Sequence, residues 1–131
     1  MLTRDPENPR RRNVFEPPLL VVEPGDTVRF VPVDPSHNSQ SIEEMVPEGG
    51  ESWRGAINEE IEVTLSTPGI YGYQCLPHYA LGMVGLIFVR GEGMLDNLEQ
   101  ARSARHRGRA AERFEELWAA AEEEGLLSQE S

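Results

Sequence analysis

The sequence contains no lysine and only one cysteine among its 131 residues. A single cysteine cannot form an internal disulfide bond, so we expect Cys75 to be a buried thiol, a nucleophile or a metal ligand. No apolar run approaches the roughly 18 residues that a membrane-spanning helix needs, which predicts a protein without membrane insertion. Residues 1–12 are polar and lack the apolar centre of a secretory signal, so we expect any such signal to have been removed already.

All 12 basic side chains are arginines, and 23 acidic side chains bring the formal net charge to -11. Nucleic acids and anionic membranes bind positively charged surfaces, so this charge argues against both as partners. The arginines in segments 10–12 and 102–113 are interpreted as solvated side chains rather than phosphate ligands.

The length of 131 residues predicts a single domain that spans residues 1–131. Short β-branched runs separated by Pro-Gly turns predict an antiparallel Greek-key β-sandwich over about residues 1–90. The predicted strands comprise residues 19–22, 27–33, 61–65, 70–75 and 83–89. The last two are the most apolar, and we expect them to be the central strands.

The periodicity changes after Gly91, where no further strand pattern occurs. Met94, Leu95 and Leu98 suggest a short helix, and apolar residues between 110 and 121 recur with the spacing of a longer one. Gly125 is a candidate C-terminal cap. We expect a helical pair over about residues 94–125 that packs on the sandwich, because short helices are marginally stable alone in water.

Three potential metal ligands follow one another between the last two predicted strands. Cys75, His78 and Met83 have the spacing C-x2-H-x4-M. A loop that folds these side chains inward presents a thiolate, an imidazole and a thioether to one ion. His37 lies at the end of a predicted strand and is the candidate for a fourth ligand.

This donor set is selective for copper. Zinc sites prefer four nitrogen, sulfur or carboxylate ligands, and a thioether serves zinc poorly. Copper(I) accepts soft sulfur and copper(II) accepts imidazole, so a His2Cys plane with a long axial methionine suits both oxidation states. The sequence therefore predicts one copper ion and one-electron transfer rather than substrate chemistry.

An enzymatic alternative makes Cys75 a nucleophile with His78 as its base. Catalytic Cys and His residues usually come from separate elements with a third residue orienting the base, and no such residue is evident. We therefore expect a protein that is not an enzyme. Some further His, Met and Trp residues have no other potential metal ligand at a suitable spacing in the sequence. We interpret them as structural, as is usual for single side chains of these types. They are Met45, Met94, His106, Trp53 and Trp118.

Several short motifs share a family resemblance. They are F-E-P (15–17), P-G-D-T-V (24–28), F-V-P-V-D (30–34), H-N (37–38), M-V-P-E-G (45–49), I-N-E (57–59) and C-L-P-H-Y-A-L-G-M (75–83). Together they resemble the pseudoazurin family of blue-copper cupredoxins over nearly the whole chain. Plastocyanins share the C-x2-H-x4-M loop, but the short interval from His37 to Cys75 and the helical tail favour pseudoazurin.

The resemblance implies His37, Cys75 and His78 as the strong copper ligands and Met83 as the axial ligand. It also implies that Asn38 braces the ligand loop, with its backbone amide directed at the thiolate. By the same resemblance, His78 is the partly exposed ligand through which electrons enter and leave.

The resemblance further implies an apolar patch around His78 that contains Pro35, Pro77 and Leu81. Asn13 stands where relatives often have a methionine near the exposed histidine, which changes the surroundings of His78. Leu76 replaces the usual small hydroxyl residue, which removes one possible hydrogen bond from the loop.

Family members are periplasmic carriers that take electrons from cytochromes and pass them to copper nitrite reductase and related respiratory enzymes. The resemblance implies the same location and partners for this chain, and we expect it to be a monomer. In typical members, lysines surround the exposed ligand histidine, and this chain has no lysine. We therefore expect its negative electrostatic field to repel acidic partners at long range. Two alternatives remain. One is a plastocyanin-like carrier that serves another electron-transfer chain, and the other is a copper storage or delivery protein.

Overall fold

The computed structural model describes residues 1–4 and 12–127, which form eight strands and two α-helices. The strands are β1 (Leu2–Arg4), β2 (Arg12–Val14), β3 (Leu19–Val22), β4 (Asp26–Phe30), β5 (Gln40–Ser41), β6 (Ile61–Leu65), β7 (Gly69–Gln74) and β8 (Val84–Val89). The helices are α1 (Leu98–Ser103) and α2 (Arg109–Glu123). Short 3-10 helices occupy Glu43–Met45 and Leu76–Leu81.

The largest sheet has four strands in the order β3-β8-β7-β5. β7 and β8 are central, as the sequence predicts. The expectation of an entirely antiparallel sandwich is wrong for β3, which pairs parallel to β8 with Leu19 opposite Leu86. A parallel pair needs a long connection instead of a hairpin, and here that connection contains most of the other strands. β4 and β6 form a separate antiparallel ribbon, as do β1 and β2.

Two apolar cores cover the two faces of the four-stranded sheet. On one face, Tyr73 and Ile87 share a core with Phe30 and Leu65 of the β4–β6 ribbon. On the other face, strand residues such as Phe88 share a core with α2. All six residues of β8 are buried, because both faces of this strand are covered.

α2 packs its apolar face on the sheet, as its periodicity predicts. The buried residues of this helix are Ala110, Phe114, Leu117, Trp118 and Ala121. Gly125 caps the helix: its N–H donates to the carbonyl of Glu122 at 3.0 Å, and the N–H of Leu126 donates to Ala121 at 2.9 Å. These two bonds form a Schellman motif, so the predicted cap is confirmed.

The first helix begins later than its apolar residues indicate. Met94 and Leu95 lie in successive turns, and α1 starts only at Leu98. Gly91 and Gly93 have φ angles of 138° and 86°, which interrupt a right-handed helix before residue 94. In the described part of the chain, none of the helices combines the length and apolar character needed to span a bilayer.

Candidate metal centre

Two chain segments bring His37, Cys75 and His78 together at one end of the four-stranded sheet. His37 lies in the segment before β5, Cys75 directly follows β7, and His78 lies in the 3-10 helix between β7 and β8. Because β5 and β7 are antiparallel and Gln40 is opposite Gln74, the residues before β5 and after β7 meet. The predicted approach of His37 to the C-x2-H-x4-M loop is therefore present.

The three potential ligand atoms form a compact triangle. The Nδ1 atoms of His37 and His78 are 3.1 Å apart, and the Sγ atom of Cys75 lies 3.7 Å and 3.5 Å from them. The point equidistant from these atoms is about 2.0 Å from each, against first-row metal bonds of about 2.0–2.1 Å to imidazole and about 2.3 Å to thiolate. The triangle can hold a single copper ion with little rearrangement.

His37 is oriented through its second ring nitrogen. Its Nε2 atom is hydrogen-bonded to the hydroxyl of Thr3 at 3.0 Å, which leaves the Nδ1 lone pair free to bind a metal. Burial lowers the pKa of His37, and the neighbouring His78 lowers it further. Both effects favour the neutral imidazole, which is the form that binds metals. Sequence reasoning missed Thr3, since a threonine in a short first strand carries no local signal.

Cys75 has no solvent exposure. Burial raises the pKa of its thiol, while the backbone amides of Asn38 and His78 oppose that rise by hydrogen bonding. A bound cation would favour the thiolate, since a coordinating thiol loses its proton. A nucleophile, by contrast, needs an accessible thiolate, so this environment disfavours the enzymatic alternative.

Asn38 connects the segment that carries His37 to the ligand loop. Its Oδ1 atom accepts a hydrogen bond from the N–H of Leu76 at 2.7 Å, and its Nδ2 atom donates to the carbonyl of Gly55 at 3.0 Å. The side chain thus braces the loop, while the backbone amide of Asn38 faces the Cys75 sulfur.

Met83 ends the ligand loop and is completely buried. Its carbonyl accepts a hydrogen bond from the N–H of Cys75 at 3.0 Å, and its own N–H donates to the carbonyl of His78 at 3.3 Å. Gly82 ends the 3-10 helix with a φ angle of 95°. These contacts fix the backbone of Met83 against the two loop residues of the triangle.

The two histidines differ in solvent exposure. His37 is 1% exposed, whereas His78 is half-buried. Pro35, Pro77 and Leu81 are all exposed. Asn13 lies in β2, and its side chain is outside the part of the chain that the structure describes. Four further large apolar residues in the described part of the chain are exposed, which are Val31, Val33, Ile57 and Leu76. Sequence reasoning noted Leu76 only as a substitution in the ligand loop and did not single out the other three.

Comparison with known proteins agrees with this geometry. The family described as "Copper binding proteins, plastocyanin/azurin family" matches residues 8–90, and fold and site together define a copper-binding cupredoxin. The pseudoazurin of Paracoccus pantotrophus is 46% identical over 102 residues, which are 78% of this chain and 69% of that protein.

Comparison with solved structures indicates one family among the copper-binding cupredoxins. A Sinorhizobium pseudoazurin has a TM-score of 0.85 at 42% identity, covering 96% of this chain and 94% of that one. The pseudoazurin of Methylobacterium extorquens AM1 has a TM-score of 0.83 at 37% identity, covering 92% and 94%. This chain belongs to the pseudoazurin family of electron-transfer copper proteins. The family resemblance, the cupredoxin fold and the copper cofactor predicted from the sequence are confirmed.

Proposed function

We propose that this single-domain protein is a type 1 copper carrier in which His37, Cys75 and His78 would be the strong copper ligands and Met83 would be the weak fourth ligand. The observation that carries the proposal is the triangle of two Nδ1 atoms and one Sγ atom, with sides of 3.1, 3.5 and 3.7 Å. When bound, copper supplies one-electron chemistry by alternating between Cu(II) and Cu(I).

The surrounding residues support electron transfer by keeping the donors in place. Asn38 ties the His37 segment to the loop, and hydrogen bonds tie the backbone of Met83 to Cys75 and His78. Ligands that are held in position by their surroundings need little rearrangement when the ion changes charge. Burial of His37, Cys75 and Met83 keeps water from those donors.

Electrons enter and leave through His78, the half-buried ligand. The exposed side chains of Pro35, Pro77 and Leu81 form an apolar docking patch beside it. Burial of apolar area stabilises a complex whatever the charge of the partner. The partners are a cytochrome-type donor and copper nitrite reductase or a related respiratory acceptor, in the periplasm, with a monomeric carrier.

The test is to load the purified protein with copper and record its visible spectrum and its electron self-exchange rate. We expect a thiolate-to-copper charge-transfer band and fast self-exchange. The storage or delivery alternative predicts rapid release of copper to a chelator, whereas the buried His37 and Cys75 favour slow release. A colourless protein in the oxidised, copper(II)-loaded form would contradict the proposal. A plastocyanin-like carrier would instead reduce the acceptors of another chain in preference to nitrite reductase.

A further inference from the structure

His106 joins the ligand loop to the helical tail. It lies between α1 and α2, and its Nδ1 atom is hydrogen-bonded to the hydroxyl of Tyr79 at 2.7 Å. Its ring stacks on Phe114 of α2, with centroids 4.2 Å apart and an interplanar angle of 30°. Tyr79 directly follows the ligand His78. A column of three rings thus runs from the metal centre to α2.

The backbone around His106 also lies directly against the loop. A Cβ atom on Gly108 would come within 2.6 Å of the carbonyl oxygen of Ala80. On the opposite side of the contact, a Cβ atom on Gly82 would lie 3.3 Å from the carbonyl oxygen of Arg109. The connection between α1 and α2 therefore packs closely against the loop at both of these points.

The surroundings of Tyr79 indicate which partner donates in its hydrogen bond with His106. Burial raises the pKa of Tyr79, and hydrogen bonding to the backbone amide of Arg107 opposes that rise. The Arg107 guanidinium lies 5.7 Å from the centre of the Tyr79 ring. A hydroxyl that accepts from the Arg107 amide can still donate its own proton, which fits a bond from Tyr79 to Nδ1 of a neutral His106.

The other ring nitrogen of His106 makes no hydrogen bond with the described residues. Its Nε2 atom is buried, and residues 1–4 and 12–127 offer it no hydrogen-bond partner. Such an unpaired group is unfavourable, and an apolar ring would fill the same space against Phe114 without it. Burial also lowers the pKa of His106, with Glu44 acting in the opposite direction. The bond to Tyr79 is therefore what distinguishes histidine from phenylalanine at this position.

We propose that His106 is a positioning residue: through Tyr79 it holds the ligand loop in the arrangement that directs His78 toward the metal. The proposal rests on the proposed function, because it concerns the same centre. Two loop hydrogen bonds end at carbonyls next to this anchor: the N–H of Gly82 donates to the carbonyl of Tyr79 at 2.9 Å, and the N–H of Met83 donates to the carbonyl of His78 at 3.3 Å. Loss of the anchor should loosen these bonds and alter the reduction potential.

The experiment is a double-mutant cycle of His106→Phe and Tyr79→Phe, which removes the hydrogen bond from either side and keeps the rings. Amide hydrogen exchange of Gly82 and Met83 is measured by NMR in the copper-free and copper-loaded proteins, together with the reduction potential. Each single variant should speed exchange about fivefold, as expected for one net hydrogen bond, and the double variant should add little. Both singles should shift the potential in the same direction.

Two further variants make the result specific. His106→Gln keeps an acceptor for Tyr79 and should recover part of the protection and of the potential. Trp118→Phe perturbs α2 where it packs on Phe88, and it should lower stability without moving the potential. Unchanged exchange in His106→Phe, or additive effects in the double variant, would overturn the proposal. A wild-type protein without a visible band would instead contradict the proposed function, while exchange in the copper-free protein would still decide the role of His106.

Discussion

The side-chain carbonyl of Asn38 accepts a hydrogen bond from the backbone N–H of Leu76 at 2.7 Å. One side chain thereby links the two segments that supply the ligand triangle, because Asn38 follows His37 and Leu76 follows Cys75. Removal of this link should affect both the stability of the fold and the geometry of the centre.

Asn38→Ala should lower the free energy of unfolding by about 1–3 kcal/mol, since it leaves buried groups unpaired. The matched control is Asn97→Ala. Asn97 is also buried, and it bonds to both backbone groups of Ile70, at 3.0 Å and 2.8 Å. Urea unfolding should show similar losses in both variants, but only Asn38→Ala should change the visible spectrum. An equal spectral change in Asn97→Ala would show that the effect of Asn38 is not specific.

Cys75→Ser should abolish the visible band. The band requires a covalent bond between copper and a thiolate, and an alcohol oxygen cannot replace it. The measurement is an absorption spectrum of the copper-loaded variant, with circular dichroism to show that it has folded. If the colour persisted, the assignment of Cys75 as a ligand would be wrong.

Met83→Gln should keep copper bound and lower the reduction potential. An amide oxygen is a harder donor than a thioether, so it favours copper(II) over copper(I). Voltammetry of the variant and the wild type measures the shift, and metal analysis measures the occupancy. Complete loss of copper would contradict a weak axial role and place Met83 among the strong ligands.

The copper-free protein should lose stability as the pH falls below about 6.5, partly through His106. The pKa of His106 is lowered by burial from its ordinary value of 6.5, so the unfolded chain takes up this proton first. The titratable groups that act on the ring are Tyr79, through its hydrogen bond, and Glu44. Stability from this residue is complete above pH 6.5 and decreases as the pH falls through the lowered value. Urea unfolding of His106→Phe between about pH 5 and 7.5 should show a free energy of unfolding that depends less on pH than that of the wild type. An equal pH dependence in both proteins would exclude His106 as the cause.

Electron transfer to an acidic-faced acceptor should become faster with added salt, and transfer from a basic cytochrome should become slower. The net charge of -11 acts at long range, and salt screens it over a Debye length of about 8 Å at physiological ionic strength. Arg107 lies beside Tyr79 and is a positive charge next to the loop. Stopped-flow rates for Arg107→Glu should show a steeper salt dependence with the acidic acceptor. A wild-type rate that falls with salt would mean that the local arginines outweigh the net charge.

The features that could be predicted from the sequence are those encoded over short distances. The spacing from Cys75 to Met83 specifies three donors in one loop, and the apolar period of residues 110–121 specifies one helix face. Strand β4 ends at Phe30 instead of the predicted residue 33, since Pro32 has no N–H to continue the pairing.

Contacts between distant segments could not be predicted. Thr3 reaches His37 across 34 positions, and His106 reaches Tyr79 across 27. Nothing in the composition of a short strand or of a helix connection indicates which residue it will meet. The parallel partner of β3 is a similar case, because its apolar pattern fits either direction equally well.

The parallel pairing of β3 with β8 also affects how the chain assembles. About half of the chain lies between these strands, so the sheet cannot close until the later half has been synthesised. Folding should therefore be slow compared with that of a helical protein of this size. Until β3 and α2 cover it, β8 is an apolar strand of six residues with a tendency to aggregate. The ligand loop lies between β7 and β8, so the chain should acquire a competent metal centre only at the end of folding.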